Sequence, residues 1–414
     1  MNKNKTIGVV GAGIVGCSCA LWLQKKGFSV TLIDPEIPGS GTSSGNACTI
    51  ADYGCVPVNS PQVIKNLPSL LFARNSPLAT DFTYALTHLP WMLSFLSNCR
   101  PSRVKKISNA LGGLLRKTYD GLTPLINDCT AQSLMVSQGC MYLFSTESEL
   151  DGARANHEVR RQHGTDFREI NNNELRELEP GIKYPFQKAL YFEKASQVIN
   201  PQSLVTRYFE TFMQNGGEYL PYRIDAISSQ ADGLLLKSTQ GDDLRVSEVV
   251  IAAGAFSHQI DGIDARRLPL DTERGYHIQY QNQQSLLNRP VCWGSAGFYA
   301  TPTDQGLRFA GTVEIAGYSD KKNPRNIRHL IEHSQQMFDL PPQPDQDWLG
   351  FRPTMPDSLP VIGRSPQDQR VVYAFGHQHI GLTLAGITGK IISEILNGET
   401  LCHDIEAFSP RRFL

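Results

Sequence analysis

Six residues near the N-terminus, Gly11-Ala12-Gly13-Ile14-Val15-Gly16, have the types and spacing of a turn that takes a pyrophosphate. Gly11 permits the tight turn, Gly13 lets phosphate oxygens approach the backbone, and Gly16 lets a helix pack closely on a strand. The helix that follows would offer Ile14, Val15 and their neighbours as unpaired N–H groups at a positive dipole end. Asp34 lies 18 residues after Gly16, where a carboxylate would bind a ribose and repel a 2′-phosphate. The chemistry on offer is therefore the binding of a dinucleotide, with a phosphate-free structural turn as the alternative.

The elements that must position these groups are legible on either side. Thr6-Ile7-Gly8-Val9-Val10 reads as a short apolar strand, Ile14 to Lys26 as a helix stopped by Gly27, and Ser29 to Ile33 as a second strand. Near the other end, Val371 to Phe375 is a strand followed by Gly376-His377-Gln378-His379-Ile380-Gly381. A helix is expected from about Leu382 to Leu396, with Leu384, Ile387, Ile391 and Ile395 on one stripe and Gly398 as its stop. That turn supplies a second positive helix end. FAD has a use for two such ends, one for its pyrophosphate and one for the flavin pyrimidine, whereas NAD has no obvious use for the second. An ordinary strand-to-helix turn is the alternative.

Three segments between these ends bear on the same ligand. Glu248 to Gly254 is a buried-strand pattern whose small residues, Ala253 and Gly254, admit close approach of a cofactor or simply a tight sheet corner. Gly217 to Ile227 and Leu234 to Ser238 read as strands of a smaller sheet, with Ile224 as a further cofactor contact. Gly39 to Ala47 is rich in small donors. It can wrap a diphosphate and flavin edge with Thr42, Ser43, Ser44 and backbone N–H groups, or it is a flexible surface loop.

Length and composition bound the remainder. With 414 residues, and roughly 100–200 residues per domain, two domains are expected. A hydrophobic fraction of 40% and a net charge of −1 describe an ordinary globular protein and argue against nucleic acid as a partner. The nine cysteines form no CxxC pair or Cys/His cluster of metal-ligand spacing, so no metal is expected. Cys17 and Cys19 read as space-filling. Reduced thiols, no signal peptide, and no run of 18 apolar residues point to a cytoplasmic protein without a spanning helix.

The chain resembles the FAD-dependent D-amino-acid oxidase/dehydrogenase superfamily, nearest the bacterial D-amino-acid dehydrogenase group. The resemblance is carried by Gly41-Thr42-Ser43-Ser44-Gly45-Asn46-Ala47, by Ile251-Ala252-Ala253-Gly254-Ala255-Phe256-Ser257 and by Glu273-Arg274-Gly275-Tyr276-His277. Gly350-Phe351-Arg352-Pro353, Asp357-Ser358-Leu359-Pro360-Val361-Ile362-Gly363, and Gly376-His377 with Gly381-Leu382-Thr383 complete it. The resemblance implies an α/β fold in which a Rossmann-like FAD-binding domain (1–57, 198–262 and 345–414) is interleaved with an α+β substrate domain (58–197 and 263–344). A mixed sheet of the substrate domain would lie over the flavin. Asn200-Pro201 and Pro341-Pro342 are plausible crossing points.

It also implies roles. Arg352 matches the family's carboxylate-binding arginine, which is physically sensible because a guanidinium fork binds a carboxylate through two parallel bonds. A structural ion pair or a packing role is the alternative. Tyr276, His277, Tyr299, His379 and Tyr53 are further candidates for the substrate cavity, each of which can equally be a satisfied core residue. The cofactor would be FAD, non-covalent because no Cys lies in the Trp348–Gly363 block, although His377 and His379 fall near the expected flavin. The implied reaction removes hydride from a Cα adjacent to an amine, leaving an imine that water hydrolyses to a 2-oxo acid and ammonia. A D-amino-acid or D-proline-type dehydrogenase feeding a quinone or electron-transfer chain is the leading expectation. A glycine- or sarcosine-type oxidase using O₂ and a flavin subunit of a hetero-oligomer are the alternatives.

From Gln62 to Thr118 there are eight basic residues and one acid, a net of +7 against −8 for the rest of the chain. The stretch is also apolar, with Leu70-Leu71-Phe72, Phe82, Tyr84 and Leu89 to Leu96. It suits peripheral contact with the inner face of an anionic membrane, or a helical insertion whose apolar residues face the core.

Overall fold

Runs of apolar residues that do not alternate belong in strands covered on both faces, which parallel pairing with helices on either side provides. In the computed structural model, which describes residues 5–61, 64, 78–80, 84 and 87–414, five parallel strands lie side by side. The order is Glu218–Leu220, Ser29–Ile33, Thr6–Val10, Glu248–Ile251 and Val371–Phe375, all parallel, with Val361–Arg364 closing the edge antiparallel. Glu218–Leu220 differs from the expected small sheet. It is an edge strand beside Ser29–Ile33, and the small antiparallel sheet is instead Ala226–Gln230, Gly233–Lys237 and Leu244–Val246.

Helices Ile14–Lys25 and Gly381–Asn397 cover one face of the parallel sheet. They meet almost backbone to backbone, because a Cβ at Gly389 would stand 2.7 Å from Ser18 C. The last helix meets Thr118–Asp128 in the same way, through Gly386 and Gly121. It is buried nearly all round, and Gly398 ends it in the left-handed region at φ +69°.

A second, nine-stranded sheet runs Gln346–Thr354, Asp271–Tyr280, Gly306–Ile315, Phe298–Thr303, Val291–Trp293, Cys140–Phe144, Lys188–Phe192 and Arg168–Asn171, with Leu78–Thr80 pairing the end of Gly306–Ile315. Side chains alternate between its faces. Tyr276, Ile278, Tyr280, Phe298, Ala300 and Phe309 form an apolar core with Leu330 and Met337 of helix Pro324–Met337. The opposite face carries Glu273, Gly275, His277 and Gln279, set across from Arg352, Gly350, Trp348 and Gln346. Strand Gln346–Thr354 thus pairs along its length with Asp271–Tyr280, so the 345–414 piece expected in the cofactor domain gives this strand to the large sheet.

Asn200 caps helix Pro201–Gln214 by accepting from Ser203 N, and its amide reaches Asp304 at the large sheet. In the basic segment, Ile107, Leu111, Leu114 and Leu115 of helix Pro101–Leu115 enter the core, while Arg100, Arg103, Lys105 and Lys106 are exposed. Trp91 is buried and donates to Pro269 O at 2.9 Å, whereas Leu89 and Leu93 of the same helix are exposed. Leu70, Leu71, Phe72 and Phe82 lie outside the described residues.

Candidate active site

The parallel sheet, the segment that follows Ile33 and Pro353 of the large sheet line a cavity of about 390 Å³. At one end the glycine turn leaves no room for side chains. Gly11 stands at φ +107° and a Cβ there would lie 2.4 Å from Ala252 O, while one on Gly16 would lie 1.8 Å from Gly11 O. Gly13, Ile14 and Val15 line the cavity at the start of the first helix, where Ile14 N–H donates to Ser43 Oγ at 3.0 Å. Asp34 also lines it. Its two oxygens accept from Ala12 N (2.6 Å) and Glu36 N (2.9 Å); burial raises its pKa, and these bonds offset only part of the rise.

The wall continues through Thr42, Ser43 and Asn46, through Ile224, Ala253 and Gly254, and through His377, His379, Gly381 and Leu382. A cavity lined by two helix N-termini, with an acid beside one of them and close backbone walls, fits a dinucleotide with a second ring system. Other residues expected to touch the ligand stand behind this lining. Gly16 packs on Gly11, and Ser44 Oγ bonds Gly41 O at 2.9 Å. Gly376 turns at φ +83° against Met355, and Thr383 Oγ1 accepts from Ala51 N at 2.9 Å. His377 is buried and paired to Thr388 Oγ1 at 2.9 Å, and burial pulls its pKa down to about 3, so the ring is neutral. Residues not anticipated from sequence also line the cavity, notably Glu36, Ile37, Tyr222, Phe256 and Gln378. They carry no motif of their own, although Phe256 falls within Ile251 to Ser257 and Gln378 within Gly376 to Gly381.

The carbonyls of the 44–47 segment, here the cofactor loop because Asn46 and its neighbours Thr42 and Ser43 line the cavity, are turned toward the large sheet. Arg308 Nη1 donates to Ser44 O (2.9 Å) and Asn46 O (3.2 Å), and Thr301 Oγ1 donates to Ala47 O (3.0 Å). His277 Nδ1 donates to Gly45 O at 3.0 Å, which assigns its proton to that nitrogen. Trp348 stacks on His277 at 5.1 Å and lies against Gly45 and Gly350, either of which would clash with the indole if it carried a Cβ. Burial, and then the Arg308 charge, bring the His277 pKa down to about 3.

Arg352 occupies the same sheet face. Its guanidinium lies flat over Gly275, whose Cβ, if present, would be 2.3 Å from Cζ, and it donates to Thr312 O (2.8 Å) and Gly311 O (3.4 Å). Thr312 is a β-branched residue at φ +54°, next to a register shift between the Asp271–Tyr280 and Gly306–Ile315 strands. Such strain aims two carbonyls at one cation. Burial lowers the Arg352 pKa, and Glu273, directly opposite on the neighbouring strand, raises it. Glu273 in turn bonds His379 Nε2 at 2.8 Å. Burial raises the Glu273 carboxyl, but His379 and Arg352 outweigh it and hold the group below its ordinary 4.5. Arg352, Glu273 and His379 therefore stand in one chain at the cavity's edge.

Tyr53 and Tyr299 gather elsewhere on this face. Tyr53 stacks on Phe192 at 4.5 Å and donates to Cys140 Sγ, while Tyr299 and Tyr142 share a hydroxyl–hydroxyl bond of 2.8 Å. Burial raises all three phenols, which stay protonated. Tyr276 departs from expectation. Alternation sends it to the opposite face, where its hydroxyl bonds Glu314 and accepts from Asn323 N, so it faces the apolar core and not the cavity. Sequence reasoning missed Glu273, although it sits two and four residues before Gly275 and His277 on one strand face.

Comparison with known proteins agrees with this geometry. Residues 6–395 match the family described as DAO, FAD dependent oxidoreductase. The chain is 31% identical over 422 residues to a D-amino-acid oxidase of Bradyrhizobium diazoefficiens, with 100% of both chains covered. Among solved structures it is similar to glycine oxidase from Geobacillus kaustophilus, with a TM-score of 0.76, 19% identity, and 99% of this chain and 100% of that one covered. It is also similar to L-proline dehydrogenase from P. horikoshii, with a TM-score of 0.75, 18% identity, and coverage of 99% and 97%.

Proposed function

The chain belongs to the DAO family of FAD-dependent oxidoreductases, and from that membership we propose that it oxidises a D-amino acid, or an imino acid of the D-proline or hydroxyproline type, at Cα. Its cofactor is FAD. When bound, FAD supplies a flavin N5 that accepts the hydride. Gly11, Gly13, Ile14 and Val15 would hold the pyrophosphate, Asp34 a ribose, and the 42–47 loop with Gly381 and Leu382 the flavin.

The observation that carries the reading is Arg352, a cation laid on Gly275 by two aimed carbonyls, on the sheet face that meets the cofactor loop. It would anchor the substrate carboxylate through a two-pronged contact. Glu273 and His379 orient it, and Tyr53, Tyr142 and Tyr299 supply neutral hydroxyls that cannot serve as bases. The substrate amine must therefore be neutral when it reacts. The protein's work is to aim Cα–H and exclude water. The imine from a primary amino acid hydrolyses to a 2-oxo acid and ammonia, and a proline-type substrate leaves a cyclic imine that keeps its nitrogen.

We assign the electrons to a respiratory acceptor. Arg100, Arg103, Lys105 and Lys106, beside exposed Leu89 and Leu93, suit peripheral contact with an anionic membrane surface on the cytoplasmic side. The likeness to a D-amino-acid oxidase favours O₂ as the second reading. Anaerobic bleaching of the yellow protein by a panel of D- and L-amino acids, both prolines included, tests the reaction. Reoxidation in air with peroxide release selects O₂, and slow reoxidation in air with fast dye reduction selects the dehydrogenase. A yellow protein that no amino or imino acid bleaches overturns the proposal.

A further inference from the structure

The ties on the cofactor loop have a geometric consequence. In a trans peptide the C=O and N–H point in opposite directions. The carbonyls of Ser44, Gly45 and Asn46 point to the large sheet, so the N–H groups of Gly45, Asn46 and Ala47 point away from it. None of these three donors meets an acceptor among the described residues. Asn46 lies in the cavity wall, and its side chain is spent on the loop itself, through Ser43 O and Cys48 N.

Arg308 is the centre of this arrangement. It is 5% exposed, and its partners are Gln279 Oε1, Ser44 O, Asn46 O and Cys48 Sγ, with no carboxylate in the set. A buried cation without a counter-charge is costly unless its field is used. Here the field falls on peptide dipoles whose positive ends point away from the large sheet, on the loop where Asn46 meets the cavity.

We propose that Arg308 is a positioning residue for the cofactor. Together with His277 and Thr301, it fixes the 44–47 peptide units so that their N–H groups bind acceptor atoms of FAD, and its charge raises the flavin's reduction potential. The proposal rests on FAD as cofactor and is independent of which substrate the enzyme oxidises, so its test uses none.

Flavin-stripped protein carrying Arg308→Met, Arg308→Lys or Thr301→Val is titrated with FAD. The melting temperature is measured with and without the cofactor, and the potential of the loaded protein by dye equilibration. Loss of charge-assisted bonds to two carbonyls should weaken FAD binding roughly tenfold to a hundredfold in R308M. The cofactor-induced gain in melting temperature should shrink and the potential should fall. R308K should recover part of each, and T301V should show a smaller loss of affinity. R308M with wild-type FAD affinity and potential, and only a lower melting temperature, would mean that Arg308 merely fastens the two sheets, and the proposal fails. If R308M does not fold, T301V decides: weakened FAD binding supports the proposal, and unchanged binding overturns it.

Discussion

Adding one methyl group at Gly275 is the sharpest probe of the substrate anchor. A Cβ there would stand 2.3 Å from Arg352 Cζ, 2.4 Å from Nη2 and 2.7 Å from Nε, so the whole guanidinium plane lies over this position. Carbon atoms rest at about 3.5–4.0 Å, so the fork must retreat by at least about 1.2 Å. Arg352 is the far end of a flexible side chain, and the fold can absorb the move; alanine even recovers some of the entropy that glycine loses in a strand. Function cannot absorb it, because a misplacement of about 1 Å costs roughly a hundredfold in rate, near 2.7 kcal/mol. Gly275→Ala should therefore bind FAD normally, melt within a few degrees of the parent, and lose about two decades of kcat/KM toward its best amino acid. The parent should also prefer that acid over the matching amine lacking the carboxylate, and the variant should lose this preference. An alanine variant within about threefold of the parent in kcat/KM would show that Arg352 does not hold the substrate.

Removing the anchor outright, Arg352→Met, should cost about 3–5 kcal/mol, or two to four decades in kcat/KM, with FAD content unchanged; a loss confined to FAD binding would contradict the assignment. Thr312→Gly relieves a strain of about 1–3 kcal/mol while freeing the carbonyl that aims Arg352, so the melting temperature should hold or rise as KM rises; a variant with unchanged KM would leave the strain without a function. His277 and His377 are both kept neutral by burial, at about 3 against an ordinary 6.5, so the unfolded chain takes up their protons first as pH falls. Their stabilisation is complete above pH 6.5 and is lost toward pH 3, about 2 kcal/mol for each ring between pH 7 and pH 5. Denaturant melts at those two pH values should show His377→Asn cutting the difference by that amount, and an undiminished difference would place the titration elsewhere.

The cofactor half of the site was readable because its signals are local. The Gly11–Gly16 turn, Asp34 and the Gly376–Gly381 turn each announce themselves within a few residues of the elements that carry them. The substrate half depends on cross-strand register. Glu273 gains meaning only from Arg352 opposite it and His379 beyond, and Arg308 only from a loop some 260 residues earlier. Tyr276 and His277 could not be told apart because every residue of Asp271–Tyr280 is buried, which erases the alternation that normally separates the faces of a strand. Glu218–Leu220 is three residues long, too short for composition to say which sheet it joins.

The backbone contact between Gly389 and Ser18 also sets the order of events during synthesis. The first helix and the last form one clamp, so the spacing of the two positive helix ends is undefined until the segment ending at Asn397 has left the ribosome. Before that moment the nascent chain holds a glycine turn with nothing to complete it, and the apolar flank of the first helix waits uncovered. Cofactor capture is thus a late step, and a chain truncated before Gly381 should accumulate as a colourless, chaperone-bound species even though its nucleotide motif is intact.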